Sequence, residues 1–212
     1  PQLIGGVADM RKLKDISDRR NLALLSDECD SFAPTLDGKT TASYEDVATT
    51  SFYGSHIITA LGTGGMVMTD RDDIKDKLVT LKDWGRVGND SEKFEDRFNF
   101  DLDGIPYDSK FLYSELGYNL KMNESSAAFG LEQLKKLPQF LEQRRKNHDA
   151  LTKYFKNYED FFTLPQLVEG ADTNWLAYAL TIKDNAPFNR YDLLKYLDSS
   201  GIQVRVLFSG NI

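Results

Sequence analysis

Short apolar segments of strand length alternate with amphipathic helical segments near the start of the chain, and this alternation most constrains the fold. Residues 8–20 place apolar side chains at helical spacing among charged ones, and the apolar run 22–25 follows directly. Residues 47–52 and 66–69 are two further segments of strand length, and residues 71–84 have the period of an amphipathic helix. This order predicts an α/β fold in which outer helices cover buried, parallel strands.

The second half of the chain predicts a long helix and a change of domain. Residues 123–158 have helical character, and Pro138 predicts an interruption because proline lacks the N–H that the helical ladder requires. We expect a domain boundary at this interruption. The large domain would cover residues 1–137, and an incomplete smaller domain would cover residues 138–212.

The remaining segments are assigned from their turn residues and periods. Residues 85–112 carry Gly, Asn, Asp and Pro without a helical or strand period, which predicts a long functional loop. Beyond the long helix, we expect strands over residues 175–183 and 202–208. A helix is predicted over residues 189–199, with Gly201 suited to its C-terminal end.

The composition indicates a folded protein and argues against several classes of function. The chain has 212 residues, of which 41% are hydrophobic and 12% aromatic, enough to bury a core. Its formal charge is −7 and its basic residues are interspersed with acidic ones, which argues against a nucleic-acid surface. The sequence shows no membrane-spanning apolar run and no signal-peptide pattern, so we expect a cytoplasmic protein. Cys29 is the only cysteine, and we expect no metal site.

Two carboxylates and a serine–histidine pair follow predicted strands. Asp27 and Asp30 lie just beyond the first strand, where open α/β sheets bind ligands. Ser51 and His56 stand at the end of the second strand, and histidine can take and give a proton near neutral pH. The residue types alone leave alternatives open, since strand-end carboxylates also cap helices and a lone histidine is more often structural than catalytic. The second histidine, His148, lies among charged helical residues, and we expect it at the surface.

The segment around the first histidine resembles a motif of a known cofactor family. Residues Ser51 to His56, followed by Gly64 and Gly65, resemble the Ser-Phe-x-x-x-Lys segment of the DegT/StrS-type sugar aminotransferases. These are fold type I enzymes that use pyridoxal phosphate (PLP), and the motif lysine binds the cofactor covalently. Here histidine replaces that lysine, and no other lysine lies between Lys39 and Lys75. This replacement marks the family's dehydratase branch, which acts on nucleotide-linked 4-keto-6-deoxy sugars.

A second segment resembles the same family. Gly117-Tyr118-Asn119-Leu120-Lys121-Met122-Asn123-Glu124 is similar to the family's Gly-x-Asn-x-(Arg/Lys)-Met-(Ser/Thr)-(Glu/Asp) motif. In relatives, the asparagine at Asn119 reaches the cofactor phosphate of the partner subunit, which implies a homodimer with shared active sites. Asparagine is also an ordinary turn residue, so the residue type by itself leaves this role open.

The resemblance covers essentially all 212 residues and implies both a fold and a cofactor. The fold is that of a fold type I PLP-dependent transferase, with a three-layer α/β large domain and an α+β small C-terminal domain. We expect an internal fragment of such an enzyme. The implied cofactors are pyridoxal 5'-phosphate and its amine form, pyridoxamine 5'-phosphate. Asp27 would pair with the pyridine nitrogen, Asp30 would lie near the ring hydroxyl, Ser51 would bind the phosphate, and His56 would be the base.

The implied reaction is removal of the 3-hydroxyl from a nucleotide-linked 4-keto-6-deoxyhexose, with glutamate as the amino donor that restores the amine cofactor. Some dehydratases of this branch hold a [2Fe–2S] cluster, but the corresponding stretch, residues 87–90, contains no cysteine. A cluster-free dehydratase is therefore expected. Two alternatives stay open, namely an ordinary nucleotide-sugar aminotransferase and a catalytically inactive homologue that serves as a binding or assembly subunit.

Overall fold

The computed structural model describes residues 1–87 and 91–208, which form a mixture of helices and short strands. The helices of the described residues are α1 (Met10–Arg20), α2 (Asp72–Leu81), α3 (Phe94–Arg97), α4 (Glu124–Phe155) and α5 (Arg190–Ser199). The strands are β1 (Leu25–Asp27), β2 (Thr35–Leu36), β3 (Lys39–Thr40), β4 (Val47–Ser51), β5 (Gly65–Met68), β6 (Phe100–Leu102), β7 (Ile105–Tyr107), β8 (Phe162–Thr163), β9 (Ala171–Asp172) and β10 (Thr181–Ile182). This mixed α/β architecture agrees with the prediction.

The sheet that carries the candidate site has the order β1-β4-β5. Strand β1 runs parallel to β4, and β4 runs antiparallel to β5. The predicted strand at 22–25 is shifted toward the C-terminus, and Leu22 and Leu25 are 59% and 64% exposed, so the expected burial of this run is wrong. Within the described residues β1 pairs only with β4, and on its other edge the Gln2 amide donates to the Asp27 carbonyl.

The predicted loop over residues 85–112 contains a β-hairpin, which corrects the expectation of an irregular segment. Strands β6 and β7 pair antiparallel, with Leu102 opposite Ile105. The two turn residues, Asp103 and Gly104, have φ angles of 55° and 84°, the left-handed pair that tight hairpin turns require. Asp-Gly is a strong sequence signal for this turn, and it could have predicted the hairpin. Residues 88–90 of the segment lie outside the described residues.

Helix α4 passes through Pro138 without the predicted interruption. It begins at an N-cap in which the Asn123 side chain accepts a hydrogen bond from the Ser126 amide at 2.8 Å. Proline removes one helical hydrogen bond, but the remaining bonds of a 32-residue helix keep the ladder continuous on both sides. The division into residues 1–137 and 138–212 therefore stays a prediction.

The C-terminal part contains fewer strand residues than expected. Helix α5 is confirmed, and Gly201 follows it with its N–H donated to the Asp198 carbonyl. Of the predicted strand 175–183, only β10 forms, paired antiparallel with β8. Residues 202–208 form no strand, because among the described residues no other strand pairs with them. The last four residues lie outside the described part of the chain.

The most buried apolar side chains come mainly from the N-terminal part of the chain, which carries four of the predicted site residues. In the described ranges these are Val7, Met10, Leu36, Ala48, Ile57, Ile58, Ala60 and Phe162. All but Phe162 come from residues 7–60, the segment that contains α1, β1 to β4 and the loop that follows β4. None of the described helices has the length and apolarity needed to cross a lipid bilayer.

Candidate functional site

The parallel pairing of β1 and β4 brings the predicted site residues to one edge of the sheet. Asp27 is the last residue of β1 and lies opposite Thr49 of β4, while Ser51 ends β4 two residues further on. The loop after β4 then turns back, with the His56 amide donating to the Tyr53 carbonyl at 3.0 Å. This turn follows directly on the strand end that carries Ser51.

His56 faces Asp30. The Nδ1 atom of His56 lies 3.4 Å from Oδ1 of Asp30, and the two side chains are only 18% and 10% exposed. Nδ1 is buried and makes no hydrogen bond to any described residue. The second oxygen of Asp30, Oδ2, accepts a hydrogen bond from the Ile4 amide at 3.0 Å. The structure therefore brings the predicted base and a predicted cofactor-binding carboxylate into one pair.

Asp27 is held as an anion at the end of β1. Burial acts to raise the pKa of Asp27, but the thiol and amide of Cys29 donate hydrogen bonds to its carboxylate, and the net effect is a lowered pKa. The amide bond has a length of 3.0 Å, from Cys29 N to Asp27 Oδ1. An anionic carboxylate at a strand end can hold a cationic ring N–H.

Cys29 is a thiol and not a thiolate in this environment. Burial raises the pKa of Cys29 to about 12, and the neighbouring carboxylates of Asp27 and Asp30 act in the same direction. A protonated thiol is a poor nucleophile and a poor metal ligand. Its contribution here is the hydrogen bond to Asp27.

Ser51 presents a hydroxyl at the same edge. Its Oγ accepts a hydrogen bond from the Tyr53 amide at 3.1 Å, which orients the oxygen and leaves the hydroxyl proton to donate elsewhere. A donor of this kind suits a phosphate oxygen. Strand pairing and the contact of His56 with Asp30 place the cluster of Asp27, Asp30, Ser51 and His56 at one end of the sheet, and their binding and catalytic roles stay predictions.

Asn119 lies in a separate segment. It is exposed and forms an isolated bridge with Asp83, and the Leu120 amide donates to the Lys82 carbonyl at 3.0 Å. The Lys121 ammonium lies 2.9 Å from the fully buried Asp83 carboxylate. Over residues 1–87 and 91–208, no hydrogen bond or ion pair joins Asn119 to the other four site residues. Its predicted role at a partner's site therefore stays a prediction.

A buried polar segment that the sequence does not predict supports the cluster. Thr173 and Asn174 are 2% and 1% exposed, and they donate side-chain hydrogen bonds to the carbonyls of Gly5 (2.6 Å) and Phe32 (2.7 Å). The Leu176 amide donates to the Ile4 carbonyl at 2.9 Å. No periodic pattern marks such a segment, because its partners lie more than a hundred residues away.

The expectation of an exposed His148 is wrong. Its ring stacks on Trp175 with centroids 4.3 Å apart and an angle of 3° between the planes, and its side chain is 13% exposed. Burial lowers the pKa of His148, so the ring is neutral at neutral pH. The charged residues around His148 on α4 indicated a solvent-exposed face of the helix. The ring is covered instead by Trp175, which comes from a distant segment of the chain.

Comparison with known proteins identifies the family. The family model described as "DegT/DnrJ/EryC1/StrS aminotransferase family" matches residues 2–212. The chain is 36% identical to the lipopolysaccharide biosynthesis protein RfbH of Salmonella typhimurium, over 99% of this chain and 49% of that protein. It is 35% identical to dTDP-4-dehydro-2,6-dideoxy-D-glucose 3-dehydratase of Saccharopolyspora spinosa, over 95% of this chain and 44% of that protein.

A solved structure shows the same fold. The Escherichia coli GDP-4-keto-6-deoxy-D-mannose-3-dehydratase with bound hydrated PLP superposes with a TM-score of 0.86 at 30% identity, covering 99% of this chain and 52% of that one. The chain spans about half the length of these relatives. On the match of the family model and the sequence identity over almost its whole length, the chain belongs to the DegT/DnrJ/EryC1/StrS aminotransferase family.

Proposed function

We propose that the full-length protein removes the C3 hydroxyl of a nucleotide-linked 4-keto-6-deoxyhexose, using PLP and pyridoxamine phosphate and no iron–sulfur cluster. The observation that carries the proposal is the identity of the base. His56, instead of a lysine, stands at the end of β4 and faces Asp30 across 3.4 Å. Histidine can move protons but cannot hold the cofactor through a stable covalent bond.

The residues of the cluster fit this cofactor. Asp27, with its lowered pKa, offers a carboxylate to the pyridine N–H, and Ser51 offers a hydroxyl to the phosphate. His56 has a buried ring nitrogen without a hydrogen bond to any part of the chain that the structure describes. The similar E. coli dehydratase supports the assignment, since its solved structure contains bound hydrated PLP.

The chemistry follows from the placement of these groups. When bound, pyridoxamine phosphate supplies an amine for the C4 ketone and a conjugated ring that accepts electrons. Asp27 keeps the ring nitrogen protonated, which is the condition for that electron acceptance. His56 takes a proton from the carbon that bears the amine and delivers a proton to the departing C3 hydroxyl, which leaves as water. Ser51 holds the phosphate, so the reacting carbon stays within reach of His56.

The products define the test. Each turnover should release one ammonia and one 3-deoxy keto sugar, and the amine cofactor should be restored by glutamate, which becomes the corresponding 2-oxo acid. Full-length protein is incubated with glutamate and with GDP-linked or dTDP-linked 4-keto-6-deoxyhexose, because the relatives' names include both nucleotides. Mass spectrometry follows the sugar, and an enzymatic assay follows ammonia.

The outcomes separate the three candidate functions. Loss of the 3-hydroxyl with ammonia release supports dehydration, and a 4-amino sugar without ammonia supports an aminotransferase. Cofactor binding without turnover of either sugar indicates an inactive subunit. His56→Asn should abolish dehydration while it leaves cofactor binding intact, and the matched surface variant Asp37→Asn should keep full activity. Asp37 is an exposed partner of Arg11 and takes no part in the cluster.

We further propose that the active protein is a homodimer whose subunits share their sites through Asn119. Leu116, Tyr118 and Leu120 flank the segment of Asn119 and are 96%, 63% and 69% exposed, an apolar surface typical of an interface. The test mixes two inactive full-length variants, His56→Asn and Asn119→Ala, after unfolding and refolding them together. Shared sites restore about a quarter of the wild-type activity, because half of the dimers are mixed and each has one intact site. No recovery would place Asn119 and His56 of one site on the same subunit.

A further inference from the structure

The His56 ring lies beside a largely buried carboxylate. Its Nδ1 atom lies 3.4 Å from Asp30 Oδ1, within a pair of side chains that are 18% and 10% exposed. Nδ1 makes no hydrogen bond to any residue in the described ranges, so the Asp30 carboxylate is the charged group beside it. A buried imidazole nitrogen next to a carboxylate oxygen is stabilised when it carries a proton, which it can share with that oxygen. The other nitrogen, Nε2, then lacks a proton and can accept one.

Asp30 is itself oriented from the opposite side. Its Oδ2 accepts the Ile4 N–H at 3.0 Å, so one oxygen is bound to the backbone and the other remains for His56. The Ile4 peptide is fixed in turn, since its carbonyl accepts the Leu176 N–H at 2.9 Å. Arg144 of α4 donates to the carbonyls of Trp175 (3.0 Å) and Leu176 (3.2 Å). These bonds form a continuous chain from α4 to the carboxylate beside His56.

We propose that Asp30 is a positioning residue for His56: it fixes the tautomer with the proton on Nδ1 and leaves Nε2 as the atom that accepts the substrate-derived proton. The inference rests on the proposed function. It gives Asp30 a second role, in addition to its expected position near the ring hydroxyl of the cofactor. The arrangement has the logic of a carboxylate that orients a catalytic imidazole without taking its proton.

Replacement of Asp30 by asparagine makes a specific prediction for the ring. The Ile4 N–H is a fixed donor, so the only acceptor of an asparagine side chain, its oxygen, binds there. The NH₂ group then faces His56 Nδ1 and requires that nitrogen to accept. The tautomer is thereby reversed, with the proton on Nε2, where it blocks the base.

The first measurement needs no variant. Full-length protein labelled with ¹⁵N at histidine is studied by NMR at alkaline pH, where imidazole is neutral, and the His56 signals are assigned by their loss in His56→Asn. We expect a protonated Nδ1 and a bare Nε2. A proton on Nε2, or an even mixture of tautomers, would overturn the proposal.

The second measurement uses Asp30→Asn with Asp37→Asn as the matched control. We expect Asp30→Asn to move the proton to Nε2 and to lower kcat by about 100-fold or more, the usual range for loss of a general base. The affinity for pyridoxamine phosphate and the KM for the sugar should change less. Asp37→Asn should leave both the tautomer and kcat unchanged. An unchanged tautomer with weaker cofactor binding would reduce Asp30 to a cofactor contact.

The NMR result is independent of the reaction, so failure of the two proposals can be told apart. A protein with Nδ1 protonated that converts no sugar retains the inferred role of Asp30 and loses the proposed function. A dehydratase with Nε2 protonated retains the function and loses the role of Asp30.

Discussion

At the residue scale, the carboxyl groups near the end of β1 have different environments, which shift their pKa values in different directions. Hydrogen bonds from Cys29 outweigh burial and lower the pKa of Asp27, whereas burial raises the pKa of Glu28, which is 1% exposed and bound to the Thr41 hydroxyl. Burial also raises the pKa of Glu45 to about 7, and the Glu28 charge adds to this effect. Neighbouring acids can thus have pKa values that are shifted in opposite directions by their surroundings.

The first prediction concerns Asp27. Asp27→Asn should lower turnover of the full-length enzyme by about 30-fold to 1,000-fold, because the loss of one charge-assisted contact to the ring nitrogen costs about 2–4 kcal/mol. The cofactor's absorbance spectrum should change in the same variant. Steady-state kinetics with Asp37→Asn as the control checks this. Turnover within threefold of wild type would leave Asp27 as a strand-end cap.

The second prediction concerns Glu45 and the pH dependence of stability. Neither carboxylate oxygen of Glu45 has a hydrogen-bond partner in the described part of the chain. The folded-state pKa, about 7, exceeds that of the unfolded chain, about 4.5, so the folded state binds more protons between these values. The free energy of unfolding should therefore fall as the pH rises from 4.5 to 7, by about 1–3 kcal/mol from this group.

Glu45→Gln removes that titration. The variant should be more stable than wild type at pH 8, by about 1–3 kcal/mol, and similar to it at pH 5. Urea denaturation of both proteins at the two pH values measures the difference. Parallel pH profiles would show that Glu45 is ionised or hydrated in the folded protein.

At the element scale, the residues that the sequence predicts well are those with a strong local period. Helices α1, α2 and α5 and strand β5 form within a few residues of their predictions, because apolar spacing and caps determine them locally. The strand predicted at 202–208 depends on a partner strand, and pairing of this kind has no local signature. Pro138 illustrates the opposite error, since its local effect is overruled by the length of α4.

The candidate site likewise contains residues that the sequence predicts and contacts that it does not predict. Strand ends and motif residues are visible in the sequence, so Asp27, Asp30, Ser51 and His56 could be placed together. The hydrogen bonds from Thr173 and Leu176 to residues 4 and 5 could not be predicted, because they join segments whose separation in sequence exceeds any local pattern.

The third prediction concerns the close approach of two chain segments at Gly117. A Cβ atom at this residue would lie 2.1 Å from the Gly85 nitrogen and 2.5 Å from the Trp84 carbonyl carbon, both backbone atoms that can move only with their segment. Gly117→Ala should therefore lower the free energy of unfolding by about 1–3 kcal/mol. Faster hydrogen exchange at Tyr118 and Leu120, whose amides donate to the end of α2 and to Lys82, should accompany the loss.

Gly130→Ala is the matched control. Its Cβ would meet only the Ala60 side chain at 3.3 Å, and alanine is favoured over glycine in a helix by about 1 kcal/mol. The control should stay within about 1 kcal/mol of wild type in the same urea titration. Equal effects of the two variants would mean that the contact between Gly85 and Gly117 opens freely.

At the scale of the whole molecule, three distant segments meet behind one sheet edge. The Gln2 amide donates to the Asp27 carbonyl at 2.8 Å, Asn174 donates to the Phe32 carbonyl at 2.7 Å, and Leu176 donates to Ile4. Ile4 has a φ of 58°, a conformation that costs a β-branched residue about 1–3 kcal/mol and persists only where surrounding contacts determine it. Changes in residues 172–176 should therefore be detected at His56.

The fourth prediction concerns the reaction of the complete protein, which should need neither iron nor a reductase. Cys29 is the only cysteine in the 212 residues, and burial raises its pKa to about 12, so it does not offer a thiolate to a cluster. In the proposed dehydration, proton transfer and loss of water leave no electron to be supplied from outside, and glutamate alone should restore the amine cofactor. Purified full-length protein should lack the visible absorbance of an iron–sulfur centre. After treatment with a chelator it should still consume one glutamate for each 3-deoxy sugar formed. Dependence of turnover on added iron or on an electron-transfer protein would contradict the cluster-free assignment, whereas the unaffected His56 tautomer would still be measurable.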